Sequence, residues 1–332
     1  MVFLGYIHSF RALAILFIVA GHAIDFFTWP QDSADIERLL RIVMSNGSVL
    51  FVFIAGYLFQ HLAVKYQHKK YFINKLKNVI VPYLLVSIPA IVVFVFFMTR
   101  ETVWPGFYDN APWQQVIYFY LTGFHLAPLW FIPMISLFYL IAPLLVYADK
   151  TRYFYWLLPI AIIVSCFVSR GLPLQSFVHF FSVYMLGMYC SHFKVQLNDK
   201  LSQKQVLVTL ALFILGCVLY EFYMMAGTMT YVNYIQKIAM SAFFVGLLYR
   251  LGEKTNYKLI HTIANASFGV FFIHSYVLTA SKMACEKLFG AKVAGSLLLY
   301  PILTLSILLI CVAIIVAMQK LLGTRSRYLV GS

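Results

Sequence analysis

The chain has 332 residues, 62% of them hydrophobic and only 11% charged, with a formal net charge of +14 and a mean hydropathy of +0.85. A soluble domain would carry about 25% charged residues, so a water-soluble globular fold is excluded. The basic excess follows the topology of a membrane protein and calls for no nucleic-acid partner.

Apolar runs of about 20 residues, enough to cross a bilayer, recur from end to end. They predict ten spans: 7–28, 39–64, 72–98, 128–147, 155–168, 174–191, 205–225, 233–250, 259–285 and 294–321. The fifth and sixth are short. The segment "PWQQVIYFYLTG" (112–123) is too short and polar to span and reads as an interfacial helix. The first span lacks a charged leader and a small-residue cleavage site, so it is expected to be retained. No hydrophilic stretch is large enough for a second domain, and the whole chain, 1–332, reads as one all-α polytopic unit.

Charge between the spans sets the orientation. Sixteen of the 25 Lys and Arg fall in alternate connections that begin with Lys65, Lys69, Lys70, Lys75 and Lys77 and include Lys150, Arg152, Lys254 and the basic C-terminus. Seven fall in the others, namely Arg38, Arg41, Arg100, Arg170, Lys282, Lys287 and Lys292. This bias predicts that both termini are cytoplasmic. The five cysteines all lie in apolar spans without paired spacing, and read as small interior residues. No metal site is expected.

The first span, "HSFRALAILFIVAGHAIDFF", begins with His8 at its inner boundary and keeps Arg11, His22 and Asp25, which lipid would penalise. Arg11 and His22 are eleven residues apart, about three helical turns, and so share a face with an axial separation of about 16 Å. Asp25 follows three residues later, within reach of His22, where a carboxylate would orient the imidazole. Alternatively Asp25 faces the outer aqueous boundary, and Arg11 is an interfacial cation.

In the ninth span, "ANASFGVFFIHSYV" places His274 as far from the cytoplasmic start of its helix as His22 is from its own, so the two histidines are expected at similar depth. Ser275 adjoins His274 but points elsewhere on a helix and reads mainly as a packing residue. Trp130, in "PLWFIPMISLFYLIAPLL", falls near the outer interface, where an aromatic belt is the simplest reading. Glu221 and Lys237 flank a short outer turn and are expected to pair.

These landmarks, in this order, resemble acyltransferase family 3 membrane proteins. The resemblance rests on "RALAILFIVAGH", on "SVLFVFIAGYLF", on a basic stretch ending in "VPYL", and on the "PLWFIPMISLFYLIAPLL", "VYMLGMYC" and "SFGVFFIHSYV" segments. It covers essentially the whole chain. It implies a membrane O-acyltransferase of a bacterial plasma (inner) membrane that moves an acyl group, commonly acetyl, from cytoplasmic acyl-CoA to a hydroxyl of a surface or secreted glycan or its lipid-linked precursor. No bound cofactor is implied, because acetyl-CoA is a co-substrate. Membrane lipids are the other expected partners, and a homo-oligomer is compatible. By the same resemblance, His22 and Arg11 are the essential pair, base and donor holder. Asp25 and His274 are further catalytic candidates, Lys75 and Lys77 donor-binding candidates, and Trp130 and Ser275 acceptor-side candidates.

The sequence departs from the family pattern at two places. Ala55 precedes Gly56 where a serine is usual, and the usual Arg-x-x-Arg spacing gives Lys75 and Asn78 with Lys77 between them. Lysine lacks the bidentate fork of arginine. Two other classes compete: a glycan or small-solute transporter using the same polar helix face, and a lipid-linked glycosyltransferase using Asp32, Asp35 and Glu37, residues that read more simply as a solvated helix start.

Overall fold

A computed structural model describes residues 4–151, 153–225, 227, 230–252 and 257–332. Arg152 and Lys254, counted above among the cytoplasmic cations, lie outside the described residues. The described chain is all-helical, with one isolated parallel bridge between Thr28 and Ala294 and no longer strand. The helices are α1 (Gly5–Ala23), α2 (Ala34–Met44), α3 (Ser48–Leu62), α4 (His68–Lys75), α5 (Val81–Phe96), α6 (Pro112–Thr122), α7 (Phe131–Leu140) and α8 (Ala142–Ala148). They continue as α9 (Leu158–Phe167), α10 (Pro173–His192), α11 (Lys194–Leu201), α12 (Lys204–Met224), α13 (Tyr231–Leu251), α14 (Lys258–Phe289), α15 (Leu299–Leu322) and α16 (Ser326–Val330).

Among the described residues, six helical stretches are long and apolar enough to cross a membrane, or seven if α7 and α8 form one bent span. The 55° bend between α7 and α8 has a cause in Pro143, which offers no N–H and crowds the carbonyl four residues back. Segment 155–168 appears only as a short apolar helix. Helices α10 and α13 occupy the expected 174–191 and 233–250, and at 20 and 21 residues they are long enough. They are too polar to qualify on composition because they lie inside the bundle, where their polar residues are buried against other helices.

Two expected spans are interrupted. Segment 39–64 is not one straight helix: α2 stops at Met44, and α3 starts after the turn Ser45–Asn46–Gly47. Segment 72–98 carries a π-turn at Leu76–Ile80, just where Pro82 would otherwise strike the Asn78 carbonyl.

The core forms around α3 and α10, with α1 laid against α14, α13, α15 and α3. Small residues let backbones in a membrane approach closely. Gly56 on α3 meets the Tyr184 carbonyl, and Gly187 on α10 meets the Phe53 carbonyl, so each glycine faces the other helix's backbone.

Glu221 and Lys237 do not pair directly. Lys237 is fully buried and donates to the carbonyls of Ile42 (3.0 Å) and Val43 (2.6 Å) and to Gln236 Oε1 (2.7 Å). Glu221 instead accepts from Thr230 and Asn233, both at 3.1 Å, and Asn233 stands between the two charges. The ammonium thus caps the last carbonyls of α2 and fixes the exit into the Asn46 turn. Lys237→Met would take the ammonium from the Val43 carbonyl, while the Ile42 carbonyl keeps Asn233 at 2.8 Å. It is expected to cost about 1–3 kcal/mol, read as a lower thermal unfolding midpoint in detergent.

Candidate active site

A cavity of about 440 Å³ opens at the end of the bundle formed by the connections after α1, α5, α6 and α9. His22 lines it, with Trp130 and with Arg41, Arg100, Arg170 and Asp25. His22 is carried there by the last turn of α1, and close approach of the neighbouring chain keeps that turn in place. A side chain at Gly21 would press on the Met44 carbonyl, and one at Gly47 on Phe17.

The shared face read for Arg11 and His22 is present, because both meet α14. Arg11 donates to Ser267 Oγ at 3.0 Å, and the ring of His22 lies 5.3 Å, centroid to centroid, from that of His274. The two histidines therefore do sit at one depth. His274 is fully buried and does not line the cavity. Its Nδ1 lies 3.0 and 2.9 Å from the carbonyls of Val270 and Phe271, so this nitrogen carries the proton. Nε2 is then a lone pair, and it has no hydrogen-bond partner.

Asp25 does not orient His22. Its carboxylate accepts from Arg41 at 2.9 Å, and Arg41 also holds Glu37. The reason is local: α-helical geometry ends at Ala23, and the tighter 3₁₀ turn at Ile24–Phe26 swings Asp25 towards α2.

Nor does the cavity run down to Arg11, which is absent from its lining. Ile18 still lines the cavity, but between it and Arg11 the side chains of Ala14 and Ile15 are fully buried in packed core. The single open path along one helix face, read from the sequence, is closed at this point.

Trp130 is not a lipid-facing belt residue. It stacks on Phe180 at 5.7 Å, and the Arg170 guanidinium lies 5.1 Å from its ring centre. Burial pushes Arg170 down to about 10, which still leaves it charged at neutral pH. Arg100 is lowered in the same direction by burial, and its Nε donates to the Phe124 carbonyl at 2.9 Å. Ser275 is buried outside the cavity lining. Lys75 turns inward, its ammonium 4.5 Å from the centre of the Tyr139 ring, whereas Lys77 is exposed. The structure does not bring those two lysines together.

The sequence reading missed Asn46, Arg41, Arg100 and Arg170 as lining residues. The arginines sit in connections between spans, where topology alone accounts for a cation. For Asn46 a signal existed, since Asn-Gly is a turn dipeptide and should have interrupted span 39–64. The start of α3 also faces the cavity through Asn46, Gly47 and Ser48, and the Val49 and Leu50 amides donate to the carbonyls of Asn46 and Gly47. Among the described residues, no group of three His, Cys, Asp or Glu converges as a metal site.

A polar cavity built on a membrane helix bundle, with a histidine at its wall, is compatible with many activities. An acyltransferase-domain profile matches residues 4–316. The chain belongs to acyltransferase family 3. The match runs through nearly all of this membrane acyltransferase, from the start of α1 to within α15. No curated protein and no solved structure gives a significant match.

Proposed function

We propose that this acyltransferase is an O-acetyltransferase, moving acetyl from cytoplasmic acetyl-CoA to a hydroxyl of a cell-surface or secreted glycan or its lipid-linked precursor. In this reading the chain crosses a bacterial plasma membrane ten times with both termini inside, so the cavity opens outward. The carrying observation is the position of His22, which lines the cavity and backs onto His274.

The acceptor hydroxyl attacks the thioester carbonyl while His22 takes its proton. The carbon–sulfur bond then breaks, and His22 returns the proton to the departing CoA thiolate, giving the ester and free CoA. A hydroxyl is too weak an acid to attack unaided, and a positioned base contributes on the order of 10²–10⁴-fold. The unpartnered Nε2 of His274 would accept the far ring N–H of His22, leaving the near nitrogen as the lone pair that faces substrate. His274 thus takes the orienting role first read into Asp25. The N-terminal end of α3 supplies partial positive charge for the oxyanion.

At the other end of α1, Arg11 holds the donor, with Lys75 as a further cation on the same side. Reaching His22 from Arg11 requires the packed stretch around Ala14 and Ile15 to part for the pantetheine arm. Arg11→Lys keeps the charge but loses the fork. It is expected to raise KM for acetyl-CoA about tenfold, which corresponds to about 1.4 kcal/mol, with a smaller change in kcat. Steady-state kinetics with a saturating acceptor check this, and an unchanged KM would remove Arg11 from the donor site.

A further inference from the structure

Three guanidinium groups, those of Arg41, Arg100 and Arg170, line the cavity with His22, and among the described residues Asp25 is the one carboxylate in that lining. Asp25 is committed to Arg41, which Glu37 also holds at 2.7 Å. The rest of the wall is therefore cationic. Arg100 is half-buried, its Nε donates to the Phe124 carbonyl, and its guanidinium lies 5.1 Å from the centre of the Phe94 ring. Those contacts fix the plane of the group. Its two terminal nitrogens have no hydrogen-bond partner among the described residues, and neither is buried.

Arg170 reaches the same space from the connection after α9, against the Trp130 ring, and its charge is close enough to act on His22. A neutral ligand that displaced water from this wall would leave guanidinium charge uncompensated, which is costly. An anion would meet the paired terminal N–H groups of Arg100, which match two oxygens of a carboxylate or a phosphate. It would also offset the repulsion between Arg170 and His22 once His22 has taken a proton.

Resting on the acyltransferase reading above, we propose that the acceptor glycan is anionic, and that its carboxylate or phosphate sits against Arg100 with Arg170 as the second positive charge. The hydroxyl to be acylated then lies towards His22, in a cavity whose 440 Å³ falls within the ~300–1,000 Å³ range of small-molecule sites. The phosphates of the donor do not compete for this wall, because in that reading they stay with Arg11 at the other end of α1.

The test supplies the purified full-length protein, in lipid nanodiscs, with acetyl-labelled acetyl-CoA and the glycan fraction of the producing cells, freed of existing esters by mild base. The glycan is offered untreated, carboxyl-reduced with carbodiimide and borohydride, or dephosphorylated with cold aqueous hydrofluoric acid. Wild type is expected to label the untreated glycan with a kcat/KM about tenfold or more above that for one of the two neutralised forms. Loss on carboxyl reduction identifies an acidic sugar, and loss on dephosphorylation identifies a sugar phosphate or a lipid-linked phosphate. In Arg100→Gln the ratio of untreated to neutralised glycan is expected to fall to within about threefold of one. If Arg100→Gln does not fold, Arg170→Gln decides by the same ratio. A wild-type ratio near one for both treatments, or a ratio unchanged in the variant, would overturn the anionic acceptor and leave acyl transfer standing. A raised KM for acetyl-CoA with an unchanged glycan ratio would assign Arg100 to the donor and overturn it as well. Absence of both label in any glycan form and CoA release in the wild type would overturn the acyltransferase mechanism itself, and this inference with it.

Discussion

His22→Gln is expected to lower acceptor-dependent CoA release by about 10²–10⁴-fold while leaving gel-filtration behaviour and thermal midpoint near wild type. The size of the effect follows from chemistry, since a neutral amide cannot take the hydroxyl proton. The small effect on stability follows from location. His22 borders open space, so the substitution leaves no cavity in packed core. His274→Gln distinguishes orientation from bulk. Its side chain is fully buried behind His22, so activity should fall less than for His22→Gln, with the pH dependence of kcat displaced. A loss confined to yield, with normal activity per folded molecule, would make His274 merely structural.

The largest effect on stability is expected at Gly56. A Cβ there would lie 2.0 Å from the Tyr184 carbonyl oxygen, and neither backbone can yield without separating α3 from α10. Gly56→Ala is therefore expected to cost about 3 kcal/mol or more, at the upper end of overpacking costs, with a sharply reduced membrane yield. Gly216, within α12, meets nothing within 4 Å of its virtual Cβ. Gly216→Ala should instead stabilise by about 0.5–1 kcal/mol, since alanine is the better helix residue. Comparing the two thermal midpoints separates close helix contact from helix propensity. Equal midpoints would contradict the close approach of α3 and α10.

Much of this architecture was legible because lipid makes polarity conspicuous. Arg11, His22 and His274 stand out in apolar runs, and helical spacing alone placed the first two on the face that meets α14. Gly56 and Gly187 likewise fall within the segments that carry the family resemblance. What escaped were departures from regular helix and contacts between distant segments. The 3₁₀ turn after Ala23 turned Asp25 away from His22 towards Arg41, and no periodicity argument that assumes a continuing α-helix can foresee that. Arg100 and Arg170 reach the cavity from connections far apart in sequence, so nothing local marks them as its lining. Trp130 presented the same ambiguity: an interfacial tryptophan and a cavity tryptophan look alike until Phe180 and Arg170 are seen beside it. Helices α10 and α13 lie where the sequence predicts spans, and their burial inside the bundle accounts for their polarity.

The central claim is acetyl transfer to a glycan hydroxyl through His22. It is tested most directly in membranes containing wild type or His22→Gln, supplied with acetyl-labelled acetyl-CoA and the glycan fraction of the producing cells. The account predicts label in the glycan, released by mild base as an ester should be, with His22→Gln membranes at background. Equal labelling by both proteins, or none by the wild type while glycan still crosses the membrane, would contradict it.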